Sequence, residues 1–155
     1  MDKISFDNKF KEIVAEKPKL FALESDNKAN DEKINVIENH YKIKLPENYK
    51  EFVKQYGGGY FGFIVVFSCD ESGMFFIKDY VSKEWIQNKS FLPVVDFETG
   101  DFIGFEVKEG ICQNTVSLYS HEENKLVKLG MDFYDVLLKY GFKCNVTVQR
   151  SMSFR

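Results

Sequence analysis

A chain of 155 residues, 44% hydrophobic and 16% aromatic, has the size of one domain and enough apolar side chain for a real core, which excludes a disordered adaptor. Its formal net charge of −3 argues against a dedicated nucleic-acid binder, because such domains present a basic face to the phosphates. The N-terminus carries no apolar run of signal-peptide length and no window approaches a membrane span, so a cytoplasmic protein is expected.

The first apolar stripe, Phe6, Phe10, Ile13 and Val14, predicts a helix over residues 3–16 that stops before Pro18. After the polar stretch ESDNKAN, Asn30 or Asp31 can cap a second helix carrying Ile34, Ile37 and Tyr41. A third follows Leu45, with Pro46 suited to its first turn and Tyr49, Phe52, Val53 and Tyr56 on one stripe. Gly57 closes it in the left-handed conformation that glycine takes without strain.

Gly57, Gly59 and Gly62 spell G-x-G-x-x-G, the letters of a dinucleotide-binding loop. That chemistry needs strand, glycine turn, then helix, so that phosphate meets free amides at the helix N-terminus. Here the predicted order is helix, glycines, strand, and nucleotide binding is rejected.

From Gly62 the apolar period becomes two, in runs that suggest strands covered on both faces or nearly so. Three hairpins are predicted: residues 62–68 with 73–78 around CDES, 91–97 with 101–107 around ETG, and 115–120 with 125–129 around HEEN. Between the first two, YVSKEWIQNK reads as irregular or as one short helix. MDFYDVLLKYGF returns to the helical period, with Asp132 as cap and Gly141 past its end, and KCNVTVQ reads as a last strand. Helices, a run of hairpins and a closing helix make an α+β fold with helices packed on one side of a curled, mainly antiparallel sheet.

Catalytic signals are sparse. Cys69, Cys112 and Cys144 are odd in number and lack C-x-x-C spacing, so they are expected to be reduced core thiols. His40 and His121 have no partner at metal-ligand spacing, no nucleophile elbow or phosphate loop occurs, and Arg is confined to Arg150 and Arg155. Neither a metal nor another cofactor is expected, and the chain is not expected to be an enzyme. A hydrolase using Asp96 and Glu98 as an acid/base pair is disfavoured, since acids at a tight turn are usually solvated turn residues.

The charge is unevenly spread. Residues 1–56 hold eleven Lys and eleven acids, whereas residues 57–109 hold four Lys and nine acids, a balance of −5. Asp70, Glu71, Asp79, Tyr80, Glu84, Trp85, Asp96, Glu98 and Asp101 are the candidate partner-binding residues. The acids would attract a basic partner, and Tyr80 and Trp85 would anchor it.

The stretch IENHYKIKLPENYKEFVKQYGGG, with Leu45, Pro46, Tyr49, Phe52, Gly57 and Gly58, resembles the SUKH superfamily. SFLPVVDFETGDFIGFEV is similar to that family's paired strands with an acidic Gly-Asp turn. SLYSHEENKLVKLGMDFYDVLLKY is similar to its last hairpin and Phe-containing helix. The likeness runs from Asn30 to Tyr140 and departs at position 57, where many relatives have Asn. Bacterial members are largely immunity proteins, and fungal relatives include a cell-wall-assembly regulator. The resemblance implies one SUKH-like domain over residues 1–155, with N-terminal helices and a C-terminal helix on the sheet. It implies a non-catalytic immunity protein that binds and neutralises a cognate toxin, often a nuclease, encoded next to it. The alternative is a general interaction or regulatory scaffold module. Direct nucleic-acid or membrane binding is not expected, and a homodimer is left open.

Overall fold

The computed structural model describes residues 1–21 and 25–144. Helix α1 (Lys3–Glu16) starts where the Asp2 side chain accepts the Ser5 amide at 2.8 Å, and it buries Phe6 and Ile13. Helix α2 (Asp31–Tyr41) is capped by Asn30, whose Oδ1 accepts the Lys33 amide at 2.9 Å, and ends at Lys42 in the left-handed conformation. Helix α3 (Glu47–Gln55) buries Tyr49, Phe52 and Val53, and Pro46 stands just before its first turn as the N-cap rather than within it. Gly57 follows with φ +82°, and a Cβ there would lie 2.2 Å from the Asp26 carbonyl oxygen. Only glycine lets α3 turn back at that distance from the neighbouring strand.

Among the described residues seven strands form one antiparallel sheet in chain order: β1 (Ser25–Asp26), β2 (Gly58–Phe61), β3 (Ile64–Val66), β4 (Phe91–Asp96), β5 (Phe102–Lys108), β6 (Ile111–Ser120) and β7 (Lys125–Lys128). The order helix, glycine, strand at residues 55–58 is the one that disqualifies a phosphate loop. The second and third predicted hairpins are present as β4–β5 and β6–β7. β6 begins at Ile111, earlier than expected, because the Glu109–Gly110 turn also pairs it with the end of β5.

The first predicted hairpin does not form. β3 pairs instead with β2, through a turn at Gly62 and Phe63, and with β4. Residues 73–76 make no strand, and Ser68 and Phe76 share only an isolated parallel bridge. The apolar residues Phe75, Phe76 and Ile77 are buried, so that pattern reports burial of a loop and helix start and not strand alternation. Beyond them come two short helices, α4 (Ile77–Tyr80) and α5 (Lys83–Lys89), the latter capped by Ser82, where one at most was expected.

Helix α6 (Phe133–Val136) opens with a capping box in which Asp132 and Asp135 each accept the other's backbone amide. It continues as one wider, π-type turn over Leu137–Gly141. There the Gly141 carbonyl accepts the Phe63 amide of the β2–β3 turn at 2.8 Å. Of the last predicted strand, Lys143 and Cys144 are not in a strand, and the remainder lies outside the described residues.

The core is chiefly aromatic. On one face of the sheet Tyr49 and Phe133 pack against Phe105, with Phe6 on Tyr134 and Phe10 on Phe61 behind them. Tyr49 is fully buried and its hydroxyl donates to the Phe67 carbonyl at 2.6 Å, which satisfies its polar end. Phe102 lies three residues before Phe105 in an unbroken register, so it points to the opposite face. There it meets Trp85 of α5, while Phe67 stacks on Tyr80 of α4 at 4.9 Å. The α+β expectation therefore holds, and the central strands are covered on both faces as their apolar runs suggested, β4 being buried from Phe91 to Val95; the difference is that helices lie on both sides of the sheet and not on one. Cys69 and Cys112 are buried free thiols, each pushed by burial up to about 12, and Cys144 is a half-buried free thiol.

Two carboxylates tie β1 to the loop that replaces the expected hairpin. Asp70 accepts the Asn27 amide at 2.8 Å and the Ser72 amide and hydroxyl at 3.1 and 2.8 Å. In return Asp26 accepts the amides of Met74 and Phe75 at 3.0 and 2.9 Å and the Ser68 hydroxyl. Burial pushes the Asp70 carboxyl up, but the bonds from Asn27 and Ser72 outweigh it and hold it below its ordinary value.

Two outcomes are expected. Asp70 contributes stability that is present above the ordinary Asp range and lost as pH falls through its lowered native value. Asp70→Asn should therefore lower unfolding stability by roughly 1–3 kcal/mol at neutral pH and flatten the acid limb of urea denaturation against pH; equal acid limbs would contradict the clamp. Gly57→Ala should cost at least about 1–3 kcal/mol in the same assay, since the left-handed backbone and the Asp26 carbonyl both oppose a Cβ.

Candidate functional site

The nine candidate residues do not form one surface. Asp70 is only 2% exposed and is spent on the clamp, so its assignment to a partner-binding face is corrected. Its signal was local: Asp70 and Ser72 have the spacing of an Asx turn, in which the carboxylate bonds its own backbone two residues on. Glu71 is exposed but turns toward α2, beside a small hollow lined also by Lys33, Val36, Phe76 and Lys78.

Four candidates do converge. Tyr80 closes α4 with its ring stacked on Phe67 and its hydroxyl donating to the Met74 carbonyl at 2.9 Å, yet it remains 49% exposed. Its phenol is raised first by partial burial and then by the negative charges of Asp79, Asp26, Asp96 and Glu98. Those carboxylates therefore lie near enough for their charges to act on this exposed ring, and Met74, 60% exposed, carries the carbonyl that its hydroxyl bonds. Asp26 was missed from sequence because it reaches this place through β1, more than fifty residues before Tyr80.

Asp96 and Glu98 do not share a strand face, as an acid/base pair was expected to need. Asp96 ends β4 and its Oδ1 accepts the Glu98 amide at 2.7 Å, while Glu98 sits in the turn with φ +62° and its side chain in solvent. Asp101 closes the same turn but is engaged elsewhere. Its carboxylate accepts the His121 amide at 3.0 Å and lies 2.7 Å from His121 Nδ1, and these bonds hold it below its ordinary value. It thus tethers the β4–β5 turn to the β6–β7 turn.

Glu84 is exposed in the first turn of α5. Trp85 beside it is half buried, edge-on to Phe102 and Tyr119 at 5.9 and 5.0 Å, with Lys89 Nζ over its ring at 4.9 Å. Its indole Nε1 is buried and has no hydrogen-bond partner among the described residues. The side chain serves mainly to pack α5 on the sheet, so Tyr80 is the better-exposed anchor.

Among the described residues no group of three or more His, Cys, Asp or Glu side chains could hold a metal ion, and no helix is long and apolar enough to cross a membrane. What the site offers is an exposed aromatic and an exposed thioether under the influence of several carboxylates.

Comparison with curated proteins finds none that matches the chain. A profile of the SUKH family, described as SMI1-KNR4 cell-wall, matches residues 31–137, from the start of α2 through α6. Those residues hold six of the seven strands and five of the six helices, including the α4 segment that presents Tyr80. The chain therefore belongs to the SUKH family.

Proposed function

We propose that this protein is a cytoplasmic immunity protein that acts as one domain. In this reading it binds and neutralises a cognate bacterial toxin, the basic nuclease domain of a toxin encoded next to it. The exposed Tyr80 ring, with the charges of Asp79, Asp96 and Glu98 acting on it, carries the reading, and family membership supports it. A nuclease must hold a polyanion, so its cleft is basic. A carboxylate-rimmed aromatic matches that cleft in charge and in anchor type. No chemistry is required of the inhibitor, which works by occupying the cleft.

Charge at the rim of such an interface acts mainly on the rate of encounter, and an aromatic at its centre acts mainly on dissociation. Asp79→Lys with Glu98→Lys should slow association with the toxin domain by about tenfold at low salt and weaken its salt dependence. Tyr80→Ala should raise Kd by about tenfold or more, chiefly through faster dissociation. Surface-plasmon kinetics at several salt concentrations measure both, and unchanged rates in both variants would place the interface elsewhere. The reading itself rests on growth rescue. Co-expression with the toxin domain should restore growth and yield a stoichiometric complex. Killing that this chain does not relieve, together with capture of host proteins in a toxin-free cell, would favour the scaffold alternative.

A further inference from the structure

The acidic surface has a basic counterpart. At the C-terminal end of α2, His40, Tyr41 and Lys42 face Lys83, Ile86 and Gln87 of α5 across a pocket of about 220 Å3. Its walls contain three cationic or protonatable groups and no carboxylate. The apolar lining is firm: Tyr41 and Ile86 are each 8% exposed, and the Tyr41 hydroxyl is fixed by donating to the Val81 carbonyl at 2.7 Å. His40 is held edge-on to the Tyr41 ring at 4.6 Å.

Among the described residues five lysines, Lys3, Lys9, Lys50, Lys54 and Lys125, each meet a carboxylate, and the others, those of this pocket included, do not. Among the described residues, Lys42, Lys83 and the nearby Lys78 of α4 have none within ion-pair distance, although the chain holds 24 acids against 21 bases. The groups facing His40 are the Tyr41 phenol, Lys78 and Lys83. Burial first, and then the charges of Lys78 and Lys83, hold its imidazole below the ordinary value.

We infer that this pocket binds a phosphate group, held by Lys42, Lys83 and the protonated His40 with Gln87 as a neutral donor. A dianion with several acceptor oxygens can bond to more than one of the lysines and the imidazole that line the pocket at once. A carboxylate, with one charge and two oxygens, would leave part of the repulsion in place. Lysine suits this task as a point charge, and Arg is scarce in the chain.

Histidine titration by NMR tests the inference, because the chain has only two histidines and His121 lies at the β6–β7 turn beside Asp101. Millimolar inorganic phosphate, at ionic strength held constant with sodium chloride, should move the His40 midpoint to higher pH by about half a pH unit and leave His121 in place. Lys42→Ala with Lys83→Ala, both at exposed positions, should abolish that movement. Adenosine monophosphate acting like phosphate would assign the pocket to phosphate esters, and phosphate acting alone to the free ion; both sustain the site. An immobile His40, an equal response to acetate, or a rise that survives the double variant would overturn it.

Discussion

The paired carboxylates of Asp26 and Asp70 are the constraint on which the arrangement of this molecule depends. Each reaches across to the other's segment, and between them they consume four backbone amides and two hydroxyls of residues 27 and 68–75. Charged acceptors make the stronger class of hydrogen bond, and these amides would otherwise have needed a strand partner. Once they are satisfied, residues 69–76 fold as a loop, and the chain that follows crosses the second face of the sheet as α4 and α5. Tyr80, Trp85 and the pocket against α2 all take their places from that crossing.

The two faces of the sheet divide the labour. Rings from α1, α3 and α6 close one side, where buried aromatics supply the area that holds a fold of this size together. The α4–α5 segment closes the other side more thinly, and leaves Met74 and Tyr80 in solvent. A partner surface built there can vary without disturbing the main core, which fits a family whose fold outlasts any one partner.

Local signals told much of this in advance. The stripes of α1, α2 and α3, the Asn30 and Asp132 caps, the glycine that ends α3 and the β4–β5 and β6–β7 hairpins were legible because each depends on neighbours a few residues apart. The failed hairpin at residues 62–78 was not, because the clamp that displaces it joins residues more than forty apart in the sequence. The wider last turn of α6 was hidden for the same reason: its Gly141 carbonyl answers the β2–β3 turn. In the site, composition pointed to acids and aromatics but could not sort them. Asp70 proved buried, Asp101 engaged with His121, and Asp26 joined from outside the acidic segment.

The most direct test of the central claim is an amide hydrogen-exchange footprint of the intact protein, free and bound to its proposed cognate toxin domain. New protection is expected to concentrate at residues 74–80, which carry Tyr80, and at residues 96–98. Protection confined to the β7 edge or to the outer side of α1, with residues 74–80 unchanged, would contradict it.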